Sequence, residues 1–221
     1  MFEVFLPFFL PVLFLLALSI IWRIKARKYI SSDTVASAYD AWTQDKLLER
    51  LWGEHIHLGF YPSGKKNIDF RNAKVQFVHE LVKWSGLDKL PKGSRILDVG
   101  CGIGGSSRIL AKYYGFNVTG ITISPAQVKR ARELTPIGLN CNFQVMDALN
   151  LKFEDGSFDA VWSVEAGAHM NDKSKFADEM LRTLRPGGYL ALADWNSRDL
   201  RSYPPSLLER LVIKQLSLIH I

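Results

Sequence analysis

Arg95-Ile-Leu-Asp-Val-Gly-Cys-Gly-Ile-Gly-Gly-Ser-Ser107 joins a short apolar strand to a helix through a run of glycines. Glycine lets the backbone turn tightly and approach a ligand closely, because it carries no Cβ. The helix that follows presents unpaired N–H groups at its first turn. This stretch therefore predicts a loop that binds a small polar ligand at the end of a strand.

The nature of that ligand depends on the acidic residues around the loop. Gly100, Gly102 and Gly105 satisfy the G-x-G-x-x-G fingerprint of dinucleotide-binding folds. That fingerprint expects an acidic residue about twenty positions later, but no Asp or Glu lies between Asp98 and Glu133. Asp98 would repel a pyrophosphate and attract a sulfonium or an α-amino group. These features favour S-adenosylmethionine over a dinucleotide.

Strands and helices alternate after residue 95, which is typical of an α/β fold with a parallel, doubly wound sheet. Residues 185–188, Arg-Pro-Gly-Gly, are expected to form the turn into the last strand. Helices are predicted at 36–52 (one or two), 70–84, 106–114, 125–134, 173–184 and 206–215, and strands at 95–99, 117–123, 142–146, 158–164 and 188–195.

Asp147 follows the third predicted strand, at the edge where open α/β sheets bind ligands. Its carboxylate can accept a hydrogen bond from an exocyclic adenine amine, with the Ala148 N–H facing a ring nitrogen. The alternative for Asp147 is a helix N-cap before residues 148–151.

Three segments resemble motifs I, II and III of the class I methyltransferases: 96–105, 158–166 and 184–193. Residues 31–42, 52–59 (Trp-Gly-Glu-His-Ile-His-Leu-Gly) and 120–125 (Gly-Ile-Thr-Ile-Ser-Pro) are similar to the tocopherol and plastoquinol methyltransferases, in particular the cyanobacterial methylphytylbenzoquinol group. The resemblance implies a Rossmann-like fold and S-adenosylmethionine as cofactor, with no metal.

The resemblance also implies a set of cofactor-binding residues. Thr122, Ile123 and Gln127 take the place of the missing acidic residue, because a hydroxyl and an amide can still bond ribose. Tyr39 is expected to cap the cofactor. The remaining expected contacts are Asp98, Gly100, Cys101, Gly102, Gly104, Gly105, Asp147, Ala148 and Ser163.

The implied reaction is methylation of a ring carbon of a prenylated hydroquinone, of the 2-methyl-6-phytyl or 2-methyl-6-solanesyl type. Such a carbon needs a neighbouring hydroxyl to lose its proton, so a base must lie close to the ring. Candidate bases are Glu165, His169, His55 and His57, whereas His79 is expected on a helix surface. A γ-tocopherol or sterol-type methyltransferase is one alternative, and a non-catalytic protein that binds S-adenosylmethionine is another.

The first residues have the composition of a membrane anchor. Val4 to Trp22 carries no charge, and a helix of that length nearly spans a bilayer. Four basic residues follow between Arg23 and Lys28, an order that favours an uncleaved anchor over a signal peptide. We therefore expect a membrane-anchored protein with its catalytic domain on the cytoplasmic side. If the source is a cyanobacterium, as the resemblance implies, the membrane is the plasma or thylakoid membrane.

The net charge of +6 is concentrated beside that segment. Residues 29–221 carry 24 basic and 21 acidic side chains, and no basic stripe with interleaved aromatic residues is present, so nucleic acid is disfavoured as a partner. The expected partners are the prenylated quinol and membrane lipid. The two cysteines, Cys101 and Cys141, fit no metal-site spacing and agree with a reducing compartment.

The expected organisation is an anchor with its basic flank (1–29), a helical cap that contacts substrate (30–86) and a methyltransferase core (87–221). Only five strands of a seven-stranded class I sheet are predicted, which suggests that the core is incomplete. Residues 216–221 look like the translation of a transposon end and are expected to be non-native.

Overall fold

A parallel sheet of five strands forms the centre of the computed structural model, which describes residues 32–63, 67–195 and 206. The sheet order is β3-β2-β1-β4-β5, and all neighbouring strands pair in parallel. This confirms the predicted α/β class. The direction of winding reverses between β1 and β4, where open sheets form a ligand crevice at the carboxyl edge. The strands are β1 (Arg95–Val99), β2 (Asn117–Thr122), β3 (Cys141–Val145), β4 (Phe158–Val164) and β5 (Leu184–Ala193).

The helices lie where the apolar periodicity predicts them, within a few residues. The segment predicted as one or two helices forms two, separated at Lys46, whose φ is 55°. The helices are α1 (Ser32–Gln44), α2 (Leu47–Trp52), α3 (Phe70–Ser85), α4 (Gly105–Tyr114), α5 (Pro125–Leu134) and α6 (Lys173–Thr183), with 3-10 turns at Leu87–Lys89 and Gly167–His169.

Apolar side chains cover both faces of the sheet, as expected for parallel strands that are flanked by helices. Successive residues of a strand point to opposite faces. Accordingly, Ile96 packs in a cluster with Val78 and Leu110, whereas Leu97 packs in a second cluster with Phe176 and Met180. The sheet therefore forms a rigid support for the loops at its carboxyl edge.

The Arg-Pro-Gly-Gly segment differs from its predicted role as a turn before the last strand. β5 begins at Leu184, before this segment, and pairs Phe158 with Leu184 and then Ala160 with Tyr189. The extra residues form an irregularity inside the strand, because proline lacks an N–H for the ladder and Gly187 has a φ of 73°.

Several expectations concern residues outside the described part of the chain. They are the membrane anchor, its basic flank, most of the helix at 206–215 and the non-native residues 216–221. Within the described ranges, the longest apolar helices are too short or too polar to cross a membrane.

Candidate active site

The glycine loop between β1 and α4 borders an open space at the carboxyl edge of the sheet. The N–H groups of Gly100 and Cys101 both donate to the Ile121 carbonyl at 2.9 Å, which fixes the start of the loop. Gly102 has a φ of 55°, and a Cβ built there would meet nothing within 4 Å. The loop therefore leaves room for a ligand beside Gly102, and Gly104 adopts the left-handed conformation that starts α4.

Asp98 lies beneath this loop at the end of β1, and its carboxyl group is buried. The Ser107 hydroxyl donates to Asp98 Oδ2 at 2.5 Å. Burial raises the pKa of Asp98 to about 7, although the Ser107 hydrogen bond acts in the opposite direction. A cationic ligand in the loop would favour the ionised carboxylate. Direct contact between Asp98 and a ligand remains a prediction.

Replacing Asp98 by Asn should change how stability depends on pH. The folded-state pKa of Asp98 lies above its unfolded value, so its contribution to stability is fully present below about pH 4 and is lost as pH rises to about 7. Asn does not titrate. The melting temperature of Asp98→Asn, relative to the parent, should therefore rise by at least about 2 °C from pH 4 to pH 7 and then level off. Differential scanning calorimetry measures this, and the exposed Asp178→Asn should show no such trend.

The second strand end holds the residues expected to replace the missing acidic residue. Thr122 Oγ1 donates to Gln127 Oε1 at 2.6 Å, and both side chains are buried. This bond orients the Gln127 amide, whose N–H groups can donate to a ribose hydroxyl. The Ser124 hydroxyl oxygen caps α5 by accepting from Gln127 N at 3.1 Å. Ile123, between Thr122 and Ser124 in the chain, is half-buried.

Asp40 of α1 forms hydrogen bonds with the residues that follow β2. The sequence pattern does not indicate this contact. Asp40 Oδ1 accepts from Ser124 Oγ at 2.5 Å and from Ala126 N at 3.0 Å. A carboxylate at the start of a helix also interacts favourably with the helix dipole. Asp40 therefore attaches the N-terminal helix α1 to the loop that carries Thr122 and Gln127.

Removal of the Asp40 carboxylate should destabilise the domain. Asp40→Ala leaves the Ser124 hydroxyl and the Ala126 N–H without their acceptor, which costs about 1–3 kcal/mol of unfolding free energy. Asp40→Asn should recover part of that loss, because its amide oxygen can still accept. Urea unfolding followed by circular dichroism provides the measurement. If Asp40→Ala were as stable as the exposed control Asp178→Ala, this contact would have no structural role.

Asp147 forms a turn rather than the helix N-cap considered as its alternative. Asp147 Oδ1 accepts from Leu149 N at 2.9 Å, and Asn150 N donates to the Asp147 carbonyl at 3.0 Å. This turn fixes the carboxylate just after β3, at the carboxyl edge of the sheet and next to the buried Ala148. Ser163 lies deeper, and its hydroxyl donates to the Val99 carbonyl at 2.9 Å, which joins β4 to β1.

Glu165 follows β4 with a φ of 52°, a conformation that is unusual for a residue other than glycine. Strained backbone of this kind concentrates at functional sites. Glu165 Oε1 accepts from Leu58 N at 3.0 Å, so the 52–59 segment reaches the strand end. His169 lies in the next turn, and its Nε2 is 2.9 Å from the Tyr39 hydroxyl. Burial raises the pKa of Tyr39 to about 12, so this hydroxyl keeps its proton at neutral pH.

His55 and His57 form a buried pair that connects Glu165 to the glycine loop. His57 Nδ1 is 2.7 Å from the Leu58 carbonyl, which can only accept, so Nδ1 carries the proton. Burial lowers the pKa of both rings, that of His55 to about 3, so both are neutral at pH 7. His57 Nε2 therefore accepts from His55 Nδ1 at 3.1 Å. The His55 ring lies against Gly105, where an added Cβ would come within 3.0 Å of it.

Two buried cations that the sequence analysis did not predict support this segment. Lys74 Nζ donates to the carbonyls of Trp52 and His55 at 3.0 and 2.8 Å, and burial lowers the pKa of Lys74 to about 8. Arg108 Nη1 donates to the Ile103 carbonyl of the glycine loop at 2.8 Å, and its Nη2 donates to Glu54 Oε2 at 2.6 Å. The signal that could have identified both is a lysine or arginine at a core position of an amphipathic helix.

The candidate residues thus lie at the ends of adjacent strands, with Tyr39, His55 and His57 brought to the same edge from the N-terminal segments. His79 lies elsewhere, half-buried on α3 beside the Tyr114 hydroxyl, with 2.8 Å between Nδ1 and that oxygen. Burial raises the pKa of the Cys101 thiol, which disfavours a reactive thiolate in the loop. Among the described residues, no group of His, Cys, Asp and Glu is arranged to hold a metal ion.

Residues 97–192, which include this edge, match the family described as "Methyltransferase domain". The sequence is 60% identical over 196 residues to the 2-methyl-6-phytyl-1,4-hydroquinone methyltransferase of Synechocystis sp., an alignment that covers 89% of this chain and 62% of that protein. The likeness to methyltransferases therefore extends across the described core of the chain. The chain spans about three fifths of the length of this relative.

Two further comparisons extend this likeness. The chain is 42% identical to the chloroplastic tocopherol O-methyltransferase of Arabidopsis thaliana, over 70% of this chain and 47% of that protein. It also resembles the solved structure of the cyclase SpnF, with a TM-score of 0.64 and 26% identity over 85% of this chain and 72% of that one. Since one neighbour is named a cyclase, the fold alone does not decide the reaction.

Proposed function

We propose that this protein is a methyltransferase that transfers a methyl group from S-adenosylmethionine to a ring carbon of a prenylated benzoquinol, of the 2-methyl-6-phytyl or 2-methyl-6-solanesyl type. The observation that carries the proposal is the 60% identity to the Synechocystis enzyme named for that substrate, over 89% of this chain. The site agrees with it, because a carboxylate and a histidine follow β4 beside an open glycine loop.

The residues present fit S-adenosylmethionine, which when bound supplies an electrophilic methyl group. Gly102 borders the open space in which the ligand would lie. Gln127 would donate to the ribose, and Asp147 would accept from the adenine amine. The Asp98 carboxylate, beneath the loop, would attract the positively charged end of the ligand on the other side of the loop.

Glu165 and His169 are the residues that we assign to the quinol. One of them accepts the proton of a ring hydroxyl, which raises the electron density at the neighbouring ring carbon. That carbon would then form a bond to the methyl group as the methyl–sulfur bond breaks and leaves its electron pair on sulfur. Loss of the carbon's hydrogen as a proton would restore the aromatic ring. His55 and His57 are also candidate bases, but burial lowers the pKa of both rings and so makes them weak bases, and the two rings are hydrogen-bonded to each other, which suits a positioning role better.

We also propose that residues 4–22 anchor the enzyme in the membrane, with the catalytic domain on the cytoplasmic side. The support is the uncharged sequence and the basic cluster after it. A quinol with a long prenyl tail dissolves in the bilayer, so an anchored enzyme would meet its substrate there.

Methyl transfer from labelled S-adenosylmethionine to a panel of prenyl quinols, γ-tocopherol and sterols tests the proposal. We expect label in the benzoquinols. Label in γ-tocopherol alone would favour the second candidate, which the 42% identity to the Arabidopsis enzyme supports. Binding of the donor without any transfer would favour a non-catalytic protein. The proposed base pair would be wrong if Glu165→Gln and His169→Ala both kept full turnover.

A further inference from the structure

Six large apolar side chains are exposed along residues 52–70, between α2 and the start of α3. Ordinary protein surfaces expose such side chains singly, whereas a cluster indicates an interaction site. We call this cluster the apolar face. Its members are Trp52, Ile56, Leu58, Phe60, Tyr61 and Phe70.

The burial pattern within the apolar face is the reverse of the usual one. His55 and His57 are 9% and 8% exposed, whereas Ile56 and Leu58 between and after them are 38% and 53% exposed. A segment folded against water alone would bury its isoleucine and leucine and expose its histidines. The segment is therefore built for surroundings in which the outer side is apolar.

This exposure does not come from a poorly held loop, because buried contacts fix the backbone. Lys74 Nζ binds the carbonyls of Trp52 and His55. Phe60 N donates to the Ala73 carbonyl at 2.9 Å, and an added Cβ at Gly59 would lie 2.6 Å from the Ala73 Cβ. The apolar side chains are thus held outwards on a rigid support.

The charges around the apolar face favour an anionic partner. Arg71 Nη2 donates to the Arg50 carbonyl at 2.6 Å, so these two exposed arginines are neighbours. In the described part of the chain, the ion pairs of Glu49 and Glu54 are made with Arg130 and Arg108 of the core, and neither Arg50 nor Arg71 takes part in an ion pair. Asp69, which caps α3 beside Phe70, is also exposed, so the two arginines leave a net positive charge at this edge of the apolar face.

We infer that the apolar face lies in the interface of an anionic lipid bilayer. Aromatic side chains with flanking arginines are the residues that proteins place at the level of lipid headgroups. The inference rests on the proposed function, whose substrate resides in the bilayer. Leu58 N binds Glu165 Oε1, so the face adjoins the proposed base, and a quinol head could reach Glu165 while its prenyl tail stays in lipid.

Hydrogen exchange of the full chain measures this contact without depending on activity. The protein is compared in detergent, in vesicles of phosphatidylcholine and in vesicles of phosphatidylcholine with phosphatidylglycerol. We expect the amides of residues 54–63 to exchange about tenfold more slowly in the anionic vesicles than in detergent, with a smaller effect in neutral ones. Equal exchange in all three would overturn the inference. Protection in detergent that is lost when the protein is diluted would also overturn it, because a second copy of the chain would then cover the face.

A paired variant tests whether the side chains make the contact. Ile56→Gln with Phe60→Gln should abolish the vesicle-dependent protection and lower turnover of a vesicle-borne prenyl quinol about tenfold or more. Turnover of a soluble quinol without a prenyl tail should stay unchanged. The matched control, Trp84→Gln with Ile137→Gln, alters exposed side chains elsewhere and should change neither.

The two readouts separate the inference from the proposed function. If the parent methylates no quinol but residues 54–63 are still protected by anionic vesicles, the proposed function fails and the membrane contact stands. If the parent methylates the soluble quinol and the paired variant behaves as the parent in vesicles, the membrane contact fails and the proposed function stands.

Discussion

Gly102→Ala is expected to weaken binding of S-adenosylmethionine by about 10- to 100-fold while the domain stays folded. In the structure a Cβ at this position meets no protein atom within 4 Å, so it would project into the space that we assign to the cofactor. The positive φ of 55° adds a backbone cost of about 1–2 kcal/mol to folding. Isothermal titration calorimetry with the cofactor and its demethylated product measures the affinity.

Gly138→Ala is the matched control for this variant. Gly138 also has a positive φ, 86°, and an added Cβ there also meets nothing within 4 Å, but it lies between α5 and β3. Both variants should lose similar stability, and only Gly102→Ala should lose affinity. Equal affinities in the two variants would show that the cofactor does not lie against the glycine loop.

Glu165→Gln is expected to lower kcat for the prenyl quinol by about 10²- to 10⁴-fold, the range typical of a lost general base. The Gln amide oxygen can still accept from Leu58 N, so the variant keeps the hydrogen bond and removes the charge. Affinity for the methyl donor should therefore stay within error. Single-turnover methyl transfer, followed with labelled donor, separates the chemical step from binding.

Glu80→Gln provides the control for Glu165→Gln, because Glu80 pairs with Lys83 on the surface of α3. It should leave kcat unchanged. If Glu165→Gln lost donor affinity and kcat together, the carboxylate would act on the shape of the crevice. If its kcat equalled that of the parent, another group would be the base.

Much of the fold could be predicted because local signals agree with the tertiary structure. The start of α5 follows from Ser124 as N-cap and Pro125 at the first turn. The glycines after β1 and the alternation of strands and helices indicate the parallel sheet and the position of its crevice. The irregularity inside β5 could not be predicted, because a proline and two glycines in sequence give the same signal for a turn and for a bulge.

The contacts that hold the site residues in place join segments that are far apart in the sequence. Sequence patterns do not indicate such contacts. Asp40 reaches Ser124 across 84 positions, and Leu58 reaches Glu165 across 107. Lys74 occupies a core position of α3, where a charged side chain is rare unless it is paired or hydrogen-bonded. The histidines could be identified as candidates from their type, but their protonation follows from burial and from the Leu58 carbonyl.

The position of the transferred methyl group distinguishes methylation of a ring carbon from methylation of a hydroxyl oxygen. The full chain is incubated with deuterium-labelled S-adenosylmethionine and a 2-methyl-6-prenyl-benzoquinol, and the product is analysed by NMR and mass spectrometry. We expect one labelled methyl group on a ring carbon, formed more slowly by the Glu165→Gln variant. A methyl group on a hydroxyl oxygen, or no product from a chain that binds the donor, would contradict this expectation.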